Sequence, residues 1–87
     1  MKIKDGFIVK NVAGSNIVVP TGEQVVNFNG IMTLNETALF LWNEIQNGTP
    51  EGELVKKLLD EYDVDEATAK KDVDAFILKL KEAKFID

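Results

Sequence analysis

The sequence predicts an α+β domain in which a three-stranded antiparallel sheet is followed by three helices. Two observations carry this. The apolar residues change period once along the 87-residue chain, near residue 35, from strand-like to helix-like spacing. The part before that change is punctuated by turn-forming Gly, Asn and Pro, whereas the part after it carries helix caps and stops. Strands that precede a run of helices give layered α+β architecture with an antiparallel sheet.

Two β-branched runs, at about 7–12 (FIVKNV) and 16–20 (NIVVP), flank Ala13-Gly14-Ser15 and predict a hairpin. Thr21-Gly22-Glu23 reads as a turn. The stretch 24–34 is read as the third strand, with Asn29-Gly30 marking either a bend within it or a second hairpin.

Asn35 is a good N-cap, and Glu36 suits the positive end of a helix predicted over about 36–46. Thr33 with Glu36 forms a second candidate capping box, which leaves the start open by two residues. Ala38, Leu41, Trp42 and Ile45 share one face, Phe40 points away from it toward another helix, and Gly48 ends it. Thr49-Pro50-Glu51 supplies a cap, a first-turn proline and a carboxylate for a second helix over about 50–62, whose apolar stripe is Leu54, Val55, Leu58, Leu59 and Tyr62. Asp65 caps a third helix over about 66–83. Its buried face is Ala69, Val73, Phe76, Ile77 and Leu80, and Phe85-Ile86 return to the core. The whole, residues 1–87, reads as a single winged helix-turn-helix-like domain.

Composition narrows the function. The sequence has no cysteine and no histidine, which removes thiol chemistry, Cys-ligated zinc and the commonest general base and metal ligand. We therefore expect a non-enzyme without a metal or cofactor. The run MKIKDGF lacks the apolar stretch of a secretory signal, and no apolar run approaches the roughly 18 residues of a membrane span, so a cytoplasmic, membrane-free protein is expected. A net charge of −5 disfavours nucleic acid, because binding its backbone requires local positive charge.

Three kinds of site were weighed against a plain structural reading. The carboxylates Asp60, Glu61, Asp63, Asp65, Glu66, Asp72 and Asp74 occupy helix ends and polar faces without a calcium-loop pattern, and read as solvated or capping groups. Asp72, at the edge of the third helix's apolar stripe, is read as structural, bonding backbone or pairing with a lysine. Lys70, Lys71, Lys79, Lys81 and Lys84 suggest a DNA-reading helix, but it has no arginine and its lysines are diluted by Asp72, Asp74 and Glu82. The third candidate is an exposed strand edge beside the third helix that accepts a peptide as an added strand. Such a site needs main-chain donors and acceptors and an apolar groove but no catalytic residue, and Leu78, off the buried stripe, is a candidate groove residue.

The stretch Asn29-Gly30-Ile31-Met32-Thr33-Leu34-Asn35-Glu36-Thr37, Trp42, Gly48-Thr49, Glu61-Tyr62-Asp63-Val64 and Asp72-Val73-Asp74-Ala75-Phe76 together resemble the PqqD family, in order along nearly the whole chain. The most specific parts are the Leu-Asn-Glu-Thr helix start and the Asp-Val-x-x-Phe of the third helix. Relative to members of the pyrroloquinoline quinone pathway, the segment between Pro20 and Leu34 is longer. The resemblance implies a RiPP recognition element that binds the leader of a ribosomally synthesised precursor peptide by strand addition and presents it to a modifying enzyme, usually a radical S-adenosylmethionine maturase. It implies leader contacts at Val25, Val26, Asn27 and Phe28, continuing to Ile31 and Met32, with Lys71, Asp74, Ala75, Leu78 and Lys79 on the third helix. The alternatives are a DNA-binding or regulatory winged helix and a non-catalytic protein–protein scaffold. An open edge also predicts either a monomer or a strand-exchanged dimer.

Overall fold

A computed structural model describes residues 2–27 and 32–86. Strand β1 (Phe7–Val12) and strand β2 (Ser15–Pro20) pair antiparallel from Phe7↔Pro20 to Val12↔Ser15. The two-residue turn between them, Ala13 and Gly14, has positive φ at both positions (53° and 85°), the twist that matches a hairpin's strands. A single helical turn, α1 (Gln24–Asn27), follows, and then strand β3 (Met32–Leu34). Strand β3 pairs antiparallel with β2 through Met32↔Val18, Thr33↔Ile17 and Leu34↔Asn16, giving the sheet order β1-β2-β3. Helices α2 (Glu36–Gln46), α3 (Glu51–Glu61) and α4 (Glu66–Glu82) complete a winged-helix-like arrangement.

The third strand is where expectation and structure part. Among the described residues of the expected 24–34, 32–34 is strand and 24–27 is helical. The cause is local: the amide of Gln24 donates to the Thr21 carbonyl (3.1 Å) and that of Val25 to the Gly22 carbonyl (3.3 Å), closing the turn on itself. The Gln24 side chain donates to the Asp5 carbonyl (3.1 Å), and Thr21 donates to the Gly6 carbonyl (2.7 Å), so the turn is pinned to the approach to β1. That approach admits only glycine at position 6. Gly6 has φ +98°, and a Cβ there would meet Gln24 Cγ at 2.5 Å. The expected Asn29-Gly30 bend lies outside the described residues.

The helices end as their sequences dictate. Asn35 Oδ1 accepts from the Ala38 amide (2.8 Å), which fixes the start of α2 at Glu36 and not two residues earlier. At its other end Gly48 (φ +90°) donates to Ile45 and Thr49 donates to Glu44, both at 3.0 Å, a Schellman closure. Because the Thr49 amide belongs to that closure, the cap of α3 is Pro50, without a side-chain bond, instead of the expected Thr49. The same closure ends α4: Lys84 donates to Lys81 (3.1 Å) and Phe85 to Leu80 (2.9 Å), with Lys84 at φ 63° where glycine is usual.

One core serves both layers. Phe7, Val18, Met32 and Leu34 come from the sheet, and Leu41, Trp42 and Ile45 from α2. Leu54 and Leu58 from α3 and Ala69, Val73, Phe76, Ile77 and Leu80 from α4 fill the rest. The expected stripe members Ala38, Val55, Leu59 and Tyr62 pack only half-buried against it, as does Phe40, whose ring meets Tyr62 edge-on at 5.6 Å. Beyond α4 the chain folds back: Phe85 contacts Phe7 (4.7 Å) and Trp42 (5.8 Å) edge-to-face, its carbonyl accepts from the Lys4 amide (2.8 Å), and Ile3 and Ile86 form an antiparallel bridge.

The strain at Lys84 is testable. A left-handed backbone costs a side chain about 1–2 kcal/mol, part of which glycine gives back as unfolded-state entropy. Lys84→Gly should therefore stabilise the domain by about 0.5–1 kcal/mol, read as a higher urea midpoint with an unchanged slope.

Candidate functional site

One side of β3 pairs with β2, and among the described residues no strand pairs with its other side. Next to this strand a cleft of about 280 Å³ opens between the start of α2 and the length of α4. Thr33 of β3 forms one border, with Asn35, Thr37, Ala38 and Leu41 at the junction and first turns of α2. Asp72, Ala75, Phe76 and Lys79 form the wall contributed by α4.

Strand pleat and helix pitch bring these groups together. Met32 and Leu34 point into the core and Thr33 is left outside, so the strand is anchored by its two ends while its backbone stays at the border of the sheet. On α4, positions 72, 75, 76 and 79 recur at the i, i+3, i+4, i+7 spacing of one helical face. That face adjoins the buried stripe and shares Phe76 with it. The lining therefore mixes apolar groups, Leu41, Phe76 and the methyls of Ala38 and Ala75, with the polar side chains of Thr33, Asn35 and Thr37, and charge enters only through Asp72 and Lys79. Such a volume lies just below the roughly 300–1,000 Å³ of small-molecule sites, and the cleft borders the side of β3 with which, among the described residues, no strand pairs. It suits a side chain or two carried on an extended backbone.

The residues implied by the resemblance distribute unevenly over this geometry. Ala75 and Lys79 line the cleft. Met32 is in the strand, its side chain buried at 6% exposure, so it offers the cleft backbone only. Val25, Val26 and Asn27, expected as strand, lie in the α1 turn, where the backbone closes on itself in place of forming a ladder edge; the Val25 side chain is 58% exposed. Phe28 and Ile31 lie outside the described residues. Asp74 and Leu78 border a separate depression of about 250 Å³ with Glu51, Ile77 and Lys81, because a helix turns them roughly 200° and 100° away from Asp72 and Lys79 respectively. Lys71 is exposed and borders neither. A third depression, about 330 Å³, adjoins Lys2, Ile3, Lys4, Asp5 and Gln24.

Sequence reasoning passed over Thr33, Asn35, Thr37 and Asp72 as cleft residues. Asp72 was given a structural role, yet it is exposed and borders the cleft. The available signal was its i+3 and i+7 relation to Ala75 and Lys79.

Two titrations are displaced nearby. Hydrogen bonds from Thr68, the backbone amide first (2.6 Å to Oδ1) and the side chain second, hold the Asp65 carboxyl below the usual carboxylate range at the start of α4. The Tyr62 phenol is pushed up by burial, then by the carboxylates of Glu36 and Glu61. Among the described residues no group of three or more His, Cys, Asp or Glu is placed to hold a metal, and no helix is long and apolar enough to cross a membrane.

Residues 17–86 match the family described as coenzyme PQQ synthesis protein D, PqqD. The chain belongs to the PqqD family. Two solved structures share its fold. TbiB1 in complex with the TbiA(beta) leader peptide is 20% identical, with a TM-score of 0.79 over 100% of this chain and 95% of that one. Lasso peptide synthetase B1 complexed with the leader peptide is 21% identical, with a TM-score of 0.71 over 93% of this chain and 89% of that one. No curated protein sequence matches this one.

The Asp65 cap gives a pH signature. A carboxyl with a lowered folded pKa stabilises fully above its unfolded value and loses that contribution as pH falls through the folded one. Asp65→Asn keeps an acceptor but not the charge. The urea midpoint of this variant should lie below that of the parent at pH 6, and the gap should close as pH drops below the ordinary 3.8.

Proposed function

We propose that this PqqD-family domain binds the leader segment of a ribosomally synthesised precursor peptide as an added strand on β3, and presents it to a modifying enzyme, such as a radical S-adenosylmethionine maturase, without catalysing a step itself. The observation that carries this reading is the side of β3 with which no strand of the described residues pairs, beside a cleft walled by α4. An extended peptide there gains main-chain hydrogen bonds from the strand, and every second side chain faces α4. Both solved structures of similar fold hold leader peptides, which supports the same use of the cleft here. A duplex-reading role finds less support, since the exposed side of α4 interleaves Asp72, Asp74 and Glu82 with its lysines.

Four to six hydrogen bonds at about 1 kcal/mol each, with two apolar side chains at about 2 kcal/mol each, offset part of the cost of ordering a disordered segment, and micromolar binding, about 8 kcal/mol, is the upper end of what they allow. A nitrogen–proton NMR titration with the short peptide encoded nearest the gene should shift Met32–Leu34 and the cleft side of α4 together. Ala75→Trp fills the cleft from an exposed position without touching the core, and should weaken that binding at least tenfold. Leu78→Ala, outside the cleft, should change it less than twofold. Equal affinities in the two variants would place the peptide elsewhere.

A further inference from the structure

The sheet has a second face, turned away from the core, and its composition is not what a solvated face requires. Phe7, Val9, Val18, Met32 and Leu34 point to the core. Their sequence neighbours therefore point the other way, and the register sets these side by side: Ile8 opposite Val19, Lys10 opposite Ile17, Ile17 opposite Thr33, and Val12 opposite Ser15. Ile8 and Val12 are 43% and 52% exposed, Ile17 and Val19 are half-buried, and none of the four packs against the core. An antiparallel sheet covered on one face usually alternates apolar inward with polar outward. Here four β-branched aliphatic side chains break that rule on the outward side.

Charge and area narrow what covers this face. Lys10, exposed among those four residues, is the one charged residue of the three strands, in a chain of net charge −5. Two copies stacked face to face would bring both Lys10 ammonium groups into one apolar interface, where like charges repel. The face is also small: strands about 20 Å long and about 5 Å apart present about 200–300 Å², against the roughly 800 Å² per partner of a stable interface. Charge and size both disfavour a self-associated pair. A different protein with a carboxylate opposite Lys10 gains an ion pair where a second copy meets repulsion.

A bound leader would supply more of the area. A peptide added to β3 is a fourth strand, so alternate side chains turn to the cleft and the others extend the outer face beyond Thr33. A protein seated on Ile8, Lys10, Ile17 and Val19 then reaches domain and peptide together. We infer that the modifying enzyme docks on this outer face of the sheet, through an apolar surface carrying a carboxylate for Lys10, and meets the outward side chains of the bound leader as part of the same surface. This rests on the leader-binding reading and gives its second partner a place.

The test is a fluorescence anisotropy titration of the labelled domain with the modifying enzyme encoded nearest the gene, with and without the short peptide encoded there. The peptide should tighten enzyme binding at least fivefold. Lys10→Glu and Ile8→Ser, both at exposed positions, should each weaken enzyme binding about tenfold and leave peptide binding within twofold. Peptide binding with an enzyme affinity that is equal in all three forms, unmoved by the peptide or absent would overturn the docking face and leave leader binding standing. No peptide binding by the parent would overturn both. Sedimentation checks the other occupant: a parent dimer that Ile8→Ser dissociates would give the face to a second copy and overturn the inference.

Discussion

Phe85 lies between Phe7 and Trp42, edge-on to each, and the rest of the architecture depends on that contact. The three rings come from β1, from α2 and from the segment after α4, so one cluster joins the outer strand to both ends of the helical layer. Aromatic pairs of this geometry contribute about 0.5–1.5 kcal/mol each beyond their buried area. In a domain this small, with one modest core, that is a large share of the margin. The cluster holds the segment after α4 against β1, while Asp72, Ala75 and Lys79 of that helix share a cleft with Thr33 of β3, two strands away.

Strand β3 shows how little regular structure a sheet edge requires. Three residues cannot hold a register by themselves, but Met32 and Leu34 are driven into the core and Asn35 is committed to capping α2. The strand is fixed by what precedes and follows each of its bonds. An edge so short offers few groups to a second sheet, which is one of the ways natural proteins limit edge-to-edge aggregation.

Most of the fold was legible in the sequence because it rests on strong local signals. The Ala13-Gly14 turn, the Asn35 and Asp65 caps and the Gly48 stop each act within a few residues, and their periodic apolar stripes agree with them. The 24–34 stretch failed for a physical reason. Val25-Val26 favours a strand, while the Thr21-x-x-Gln24 spacing favours a helical turn that closes locally, and the side-chain bond that pins the turn, from Gln24 to the Asp5 carbonyl, spans 19 residues. Pattern reasoning has no access to that partner. Of the residues expected on the third helix, Ala75 and Lys79 line the cleft, whereas Asp74 and Leu78 border the neighbouring depression. A helix turns by about 100° per residue, so an error of one position in choosing the face moves a residue from one depression to the other.

The Ile3–Ile86 bridge has a bearing on how the domain joins other proteins. The chain enters and leaves at a single place, next to β1, whereas the open border of β3 lies two strands away, about 10 Å across the sheet. A host protein that received this domain in a surface loop would need to part that loop by only the width of two paired strands, at a small entropic cost. It would also hold the domain by the border opposite the cleft. The fold thus keeps this bridge and the cleft apart, so covalent fusion and free diffusion are equally compatible with an accessible cleft.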